Sequence, residues 1–452
     1  MSEDAQHAVG TDGGVRAEPL TRRPLLANTL FTVAGHGFYH ACQLGVLVLL
    51  AKFASPEIQG QYILALAIAT PIVLFFGLEL RGALVADASD QFTFGTYHTL
   101  RGVMMIPAGV MLAGFIVWQA IVGEGNISYL LILGGVFASK VIWSLTEVGW
   151  GTFQRRERLD LLAVSVGLRG LTLIVPFAVL LPLYAWLTHT GWVAPKQLAC
   201  GTALAVLLHA VGVAVVMLIF DRPRVLDRRY WSLSWGWPQV RALAVQTFPL
   251  GVVALVINLC DTFPRIVIEM GPGGKAQLGY FGSLAYITLA GNLVIIQAAT
   301  AAANRMSLYY QHDLKAFLRL GGLLVGLAVG TGSVVLLVAL NLGRWILRVL
   351  YTPDYAQFET EFHIIVLAQS LALLTNIFGT ATTQMRLFWV QVPVQVITFV
   401  ATVIAAILLI PGETPVYGAA LTVLVRAVVQ LVLYSTCVGL GLILRGRLVH
   451  RT

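Results

Sequence analysis

The sequence predicts an all-α polytopic membrane protein, with about twelve transmembrane helices in two six-helix lobes around a central cavity. Three observations predict it. Of 452 residues, 58% are hydrophobic and 11% charged, with a mean hydropathy of +0.82; soluble domains carry about 25% charged residues. The apolar residues fall into runs of about 20–25, the length at which a helix crosses a hydrocarbon core about 30 Å thick. The longest connection between runs falls in the middle of the chain and divides them six from six.

The spans are expected near 25–50, 60–82, 102–122, 128–150, 161–187, 197–220, 242–268, 277–302, 317–341, 361–384, 389–410 and 416–443. They group as an N-lobe over 25–220 and a C-lobe over 241–444. Residues 1–24 are mostly polar and are expected to form a disordered tail, with a second short tail at 445–452. The first run is too long for a signal-peptide core, so no cleavage is expected. Cys42, Cys200, Cys260 and Cys437 are scattered over four spans and show neither a metal spacing nor a disulfide framework.

With twelve spans both termini share one side of the membrane. That side collects twenty of the 29 Lys and Arg residues, whereas Lys52, Lys196, Arg265, Lys275, Arg344 and Arg348 fall on the other. The bias places both termini in the cytoplasm of a cell bounded by a cytoplasmic, or inner, membrane. The formal charge of +8 follows from the same bias, so no nucleic-acid partner is expected. Arg81, Arg265 and Arg305 sit at span ends, where snorkelling to headgroups accounts for them.

The midpoint connection, "DRPRVLDRRYWSLSWGWPQV" at 221–240, mixes arginines with tryptophans and reads as a cytoplasmic interfacial linker. A weak repeat supports two equivalent halves. "QGQYILALA" from Gln59 opens the second span and "QLGYFGSLA" from Gln277 opens the eighth, with Gln, Tyr, Leu and Ala at matching offsets. Halves of six spans share an orientation and are related by an axis along the membrane normal; such transporters hold substrate between the halves.

Charge inside hydrocarbon costs about 2.5–3.5 kcal/mol on insertion scales, so it faces a partner or a cavity. Lys140 lies near the centre of the fourth span and Glu147 two turns further on the same face. Arg169 lies in the fifth span, Arg426 in the twelfth and Asp261 in the seventh. His36 and His40 are one turn apart in the first span, and His209 is mid-span in the sixth. These residues come from both halves, and the simplest arrangement is a wet, cation-leaning cleft between them. Lys140, Arg169 and Arg426 are the candidate substrate-binding cations, Glu147 and Asp261 the candidate coupling acids, and the three histidines candidate cavity lining. Each has a structural reading too: Lys140 can neutralise Glu147, Arg169 can bind backbone carbonyls, and the histidines can be packing residues. The His36–His40 pair lacks a third ligand, so no metal is expected. Neither a P-loop nor a nucleophile constellation on a long external loop is present, and no enzyme activity or cofactor is expected.

Four stretches then carry a family resemblance. They are "LLANTLFTVAGHGFYHACQ" leading into "SPEIQGQYILALA"; "LELRGALVADASDQFTFGTYHTLR" at 78–101; the set Lys140, Gly151, Gln154, Glu157 and Arg158; and "FPLGVVALVINLCDTFPRIVIEMGPGGKAQLGYFGSLAYITLAG" at 248–291. In this order the chain resembles the bacterial polysaccharide flippases, a branch of the multidrug/oligosaccharidyl-lipid/polysaccharide exporter (MOP) superfamily. The resemblance covers most of residues 25–320. It implies two six-helix lobes around a central cavity, and a saccharide on a polyprenyl diphosphate as substrate for capsule, O-antigen or exopolysaccharide synthesis. It also implies alternating access, with membrane lipids, a coupling proton or sodium ion, and a glycan polymerase and glycosyltransferases as partners. The alternatives are a cation-coupled drug exporter of the same superfamily, expected to show a cavity where acids prevail, and a non-transporting scaffold of a glycan assembly complex.

Overall fold

The computed structural model describes residues 25–87, 91–122, 126–156, 158–192, 194, 198–225, 236–271, 274–288, 313–385, 387–412 and 414–449, with isolated positions between 292 and 310. Its elements are α1 Leu25–Phe53, α2 Pro56–Gly77, α3 Leu80–Ala86, α4 Phe94–Val122, α5 Ile127–Arg155, α6 Leu159–His189, α7 Leu198–Val216 and α8 Arg222–Arg224. They continue as α9 Trp237–Glu269, α10 Gly274–Ile287, α11 Leu314–Leu350, α12 Glu359–Gln384, α13 Phe388–Leu409 and α14 Pro415–Val449. No strand occurs among the described residues.

Eleven membrane-spanning helices are long and apolar enough among the described residues. The remaining expected span, the eighth at 277–302, is helical over Gly274–Ile287 and at the isolated positions that follow. The expected tail at 1–24 and half of the expected linker, 226–235, lie outside the described residues. Asp221, expected at the start of that linker, is instead wholly buried in the N-lobe at the end of a π-helical turn, Met217–Asp221.

Local sequence sets the element ends. Ser55 caps α2 by accepting from the Ile58 amide at 3.4 Å, and Pro56 takes the first position, where no amide hydrogen is needed. Asp313 caps α11 by accepting from the Ala316 amide at 3.0 Å. α2 ends on two consecutive left-handed residues, Leu78 at φ 50° and Glu79 at φ 48°. Neither is glycine, and the pair turns the chain from α2 into the short α3.

The surface is inverted relative to a soluble protein. Val110, Ile121, Leu323, Val334 and Leu408 stand outward, as a lipid-facing surface requires. Water cannot drive helix pairing there, so close backbone approach matters more. Within the N-lobe, α1 packs along α6 where Gly35 meets the Ala163 backbone, and α7 packs on α6 where Gly212 meets Thr172. The C-lobe is built from α11 on α12 and from α12 and α13 on α14, with α13 also against α9.

The lobes meet along α2, which packs against α9 and α10. The two copies of the sequence repeat face each other here. A side chain on Gly60 would run into the Lys275 carbonyl, and one on Gly279 into the Pro56 carbonyl, so the backbones touch. Around this crossing Gln59 bonds to Ser283, to Tyr355 and to the Leu47 carbonyl. Tyr351 donates to the Ser283 carbonyl at 3.0 Å. Residues 344–360, which fall between the expected spans 317–341 and 361–384, are mostly helical, with a 3-10 turn over Pro353–Phe358. Tyr355 and Phe358 from that turn pack on Tyr280 with ring centroids 4.9 and 4.7 Å apart, which closes this end of the bundle.

Candidate functional site

A cavity of about 240 Å³ lies between the lobes. α1 and α2 supply Gln43, Tyr62 and Thr70, α5 supplies Lys140, α9 supplies Asn258, Asp261 and Arg265, and α10 supplies Tyr286. Helical spacing explains the α9 set: Asn258, Asp261 and Arg265 recur every three to four residues and share one face. A second cavity, of about 500 Å³, lies in the C-lobe and carries Arg426. Asp261 forms part of both walls.

Lys140 is where the sequence places it, on the central cavity, and forms no salt bridge among the described residues. Arg265 is the residue that sequence reasoning missed. Snorkelling to headgroups does not describe it: its guanidinium lines the same cavity, and its Nε is buried without a hydrogen-bond partner. The i, i+4 spacing from Asp261 was the signal that could have turned it inward. Arg426 is ion-paired with Asp261, and that pair borders the C-lobe cavity.

Arg169 and Glu147 have other surroundings. Arg169 Nη2 donates to Asp221 Oδ2 at 2.8 Å, both side chains being fully buried. Its guanidinium lies against Trp150 and Trp143, 4.5 and 4.8 Å from the ring centroids. Arg169 therefore forms an internal pair with a carboxylate at the end of the next helix and lines neither of these two cavities. Glu147 faces Arg101 at 3.8 Å and accepts from Trp143 Nε1 at 3.2 Å. Arg101, itself buried, also donates to Ser144 at 2.7 Å. Lys140 and Glu147 thus share a helix face but not a salt bridge. Arg81, a second expected snorkelling residue, reaches Gln154 at 3.2 Å and lies over Trp150. Arg305 and Glu157 lie outside the described residues.

The histidines divide. His36 Nδ1 lies 3.0 Å from the Thr32 carbonyl on its own helix. His40 contacts Gln43 at 3.1 Å, and Gln43 bonds in turn to Tyr286 of the other lobe. His209 is buried beside Thr172 at 3.3 Å and borders a small pocket that is also lined by Lys140, Tyr39 and Trp143.

Among the described residues, the two cavities together present three cations, Lys140, Arg265 and Arg426, against one carboxylate, Asp261. In overall shape the chain superposes on the lipid II flippase MurJ in an inward closed conformation with a TM-score of 0.68, at 11% identity over 90% of this chain and 86% of that one. It superposes on an inward-facing multidrug resistance MATE family transporter of the MOP superfamily with a TM-score of 0.67, at 12% identity over 91% and 98% of the two chains. The fold is shared with these two transporters. No family model matches the sequence. A capsular polysaccharide biosynthesis protein, CapF of Staphylococcus aureus, is 24% identical over 400 residues, covering 87% of this chain and 94% of that protein. These likenesses support the resemblance to polysaccharide flippases read from the sequence.

Proposed function

We propose that the protein flips a saccharide carried on a polyprenyl diphosphate across the cytoplasmic membrane, by alternating access of its two lobes, for cell-surface polysaccharide synthesis. One observation carries the reading: Lys140 from the N-lobe and Arg265 from the C-lobe line one cavity between the lobes. A diphosphate can be held there by charge-assisted hydrogen bonds, with the guanidinium able to bind two oxygens at once. A cation on each lobe ties the anion to both moving bodies. The lipid tail stays in the bilayer while the headgroup follows the cavity.

The likeness to a capsular polysaccharide biosynthesis protein and to a lipid II flippase supports a lipid-linked saccharide as the substrate class. A drug exporter selecting cations would be served by prevailing acids, and among the described residues the one carboxylate lining these cavities is already paired with Arg426. Among the candidate coupling groups, Asp261 is favoured over Glu147 because it borders both cavities. Membrane lipids, a coupling proton or sodium ion, and the polymerase and glycosyltransferases that use the product are the partners this reading calls for. Both termini are placed in the cytoplasm, and the chain acts as a transporter without enzymatic chemistry.

The test is flipping of a fluorescent lipid-linked oligosaccharide in vesicles containing the purified chain. Chain-dependent exposure of the label to an impermeant quencher is expected. Exposure equal to that of empty vesicles overturns the reading.

A further inference from the structure

The C-lobe cavity has a chemistry of its own. Asn292, Gln369, Asn376, Gln391, Gln395 and Gln430 put six carboxamides on its wall. Thr375, Thr380, Thr383 and Tyr434 add hydroxyls. The placement is periodic. On α12, Gln369, Asn376, Thr380 and Thr383 fall seven, four and three residues apart, one face of the helix. On α13, Gln391 and Gln395 are one turn apart; on α14, Arg426, Gln430 and Tyr434 step by four. Three helices each turn one polar stripe toward the same space.

The amides are partly ordered by one another. Gln395 Nε2 donates to the Tyr434 hydroxyl at 3.0 Å and Gln430 Nε2 to Gln395 Oε1 at 3.3 Å. Gln391 Nε2 donates to Thr383 at 3.0 Å, and Asn376 Nδ2 to Asn292 Oδ1 at 3.3 Å. A carboxamide has two donor hydrogens and two acceptor lone pairs, so these contacts leave capacity unused. Polar groups at membrane depth are costly unless satisfied.

The wall is also electrically balanced. Its two charged side chains, Asp261 and Arg426, are paired with each other. A free anion would be favoured by an uncommitted cation, an organic cation by aromatics and carboxylates, and an acyl chain by an apolar lining. What matches a neutral wall of mixed donors and acceptors is an uncharged ligand whose own groups donate and accept at short intervals. Sugar hydroxyls and acetamido groups do so. The volume, about 500 Å³, lies within the range of about 300–1,000 Å³ typical of small-molecule sites.

We propose that the C-lobe cavity is a binding site for an uncharged saccharide, which on the reading above is the glycan of the lipid-linked substrate. The central cations take the diphosphate, the C-lobe amides take the sugars, and Asp261 stands where the two sites adjoin. Glycans of neutral sugars are therefore accepted over glycans of uronic acids.

The experiment measures binding to the full chain in nanodiscs with three probes: a polyprenyl diphosphate without sugar, the same lipid bearing a neutral N-acetylhexosamine disaccharide, and the same lipid bearing a uronic acid disaccharide. The neutral disaccharide is expected to tighten binding roughly tenfold over the bare lipid, and the uronic acid disaccharide to add nothing. Asn376→Leu and Gln430→Leu should each remove roughly 3- to 10-fold of that gain without altering bare-lipid affinity. Equal affinity for the three probes, or a gain that both variants retain, overturns the proposal. If no lipid diphosphate binds, the lipid-diphosphate reading fails alone, and a second measurement decides the sugar site. In a Thr380→Cys, Cys200→Ser chain, whose remaining cysteines are buried, alkylation of the new thiol should be slowed by a free neutral tetrasaccharide and not by an oligouronate. Absence of protection by the neutral sugar overturns the proposal, as does equal protection by both. The same measurement decides if the leucine variants do not fold.

Discussion

Arg169 and Asp221 meet at 2.8 Å with neither side chain exposed, and Trp143 and Trp150 flank the guanidinium. The pair joins α6 to the end of α7, where the chain leaves the N-lobe. Removing one partner strands a buried charge, which costs about 3–5 kcal/mol. Arg169→Met and Asp221→Asn are each expected to lower membrane abundance and thermal stability severely. The double variant should recover much of both, measured by fluorescence-detected size-exclusion profiles on heating. Normal abundance in the Arg169→Met chain would show that Arg169 is not structural.

Lys140 and Arg265 should behave differently. Neither neutralises a neighbour on which folding depends, so Lys140→Met and Arg265→Met are expected to leave abundance near normal. Each should weaken binding of a lipid diphosphate by about 10- to 100-fold, the equivalent of one charge-assisted hydrogen bond of about 1.5–3 kcal/mol. Adding Glu147→Gln to Lys140→Met should restore nothing, because Glu147 faces Arg101. Rescue of flipping in that double variant would return Lys140 to the role of a counter-ion.

Coupling is expected to depend on Asp261. Stimulation of flipping by a proton or sodium gradient should disappear in Asp261→Asn and persist in Glu147→Gln. Asp261→Asn also frees Arg426 and adds net positive charge beside the central cavity, so lipid diphosphate affinity should rise while turnover falls. A variant that keeps both its gradient dependence and its affinity would remove Asp261 from the mechanism.

The crossing of α2 and α10 is expected to be the part that opens. Gly60→Ala and Gly279→Ala place a methyl group where the Lys275 and Pro56 carbonyls now lie. The closed end should then be unable to form. Spin labels placed at either side of the crossing should report a longer mean separation, and flipping should fall. An unchanged distance distribution would show that the backbones give way without opening.

Membrane topology is tested by single cysteines. Those at 153–156 and 222–225 should label from the cytoplasmic side, and those at 187–192 from the outside. Labelling of both sets from one side would overturn the assigned orientation.

The helices were legible because hydrocarbon thickness and run length determine them almost without reference to neighbours. The lobes were legible from the repeat at Gln59 and Gln277, whose two copies meet at the crossing. Which cation faces the cavity was less so. Lys140 and Arg169 read alike in sequence, each a lone cation in an apolar run. What separates them is Asp221, fifty-two positions from Arg169 in the chain and beside it in space. Arg265 was misread for the opposite reason: nearness to a span end suggested headgroups, whereas helix rotation turns it inward with Asp261. The three amide stripes were not legible, because only the packing of α12, α13 and α14 brings them to one cavity.

The carboxylate of Asp261 borders two chambers at once. Whatever enters either chamber changes the field felt in the other, so the two ends of a ligand are sensed jointly. A bare carrier lipid satisfies one chamber and a loose sugar satisfies the other, but only a ligand that presents both at the right separation settles the whole arrangement. On the proposed function, the shared wall works as a coincidence detector. It would let the protein ignore the unloaded carrier and respond to the finished conjugate, with selectivity arising from joint occupancy and without very tight affinity at either site.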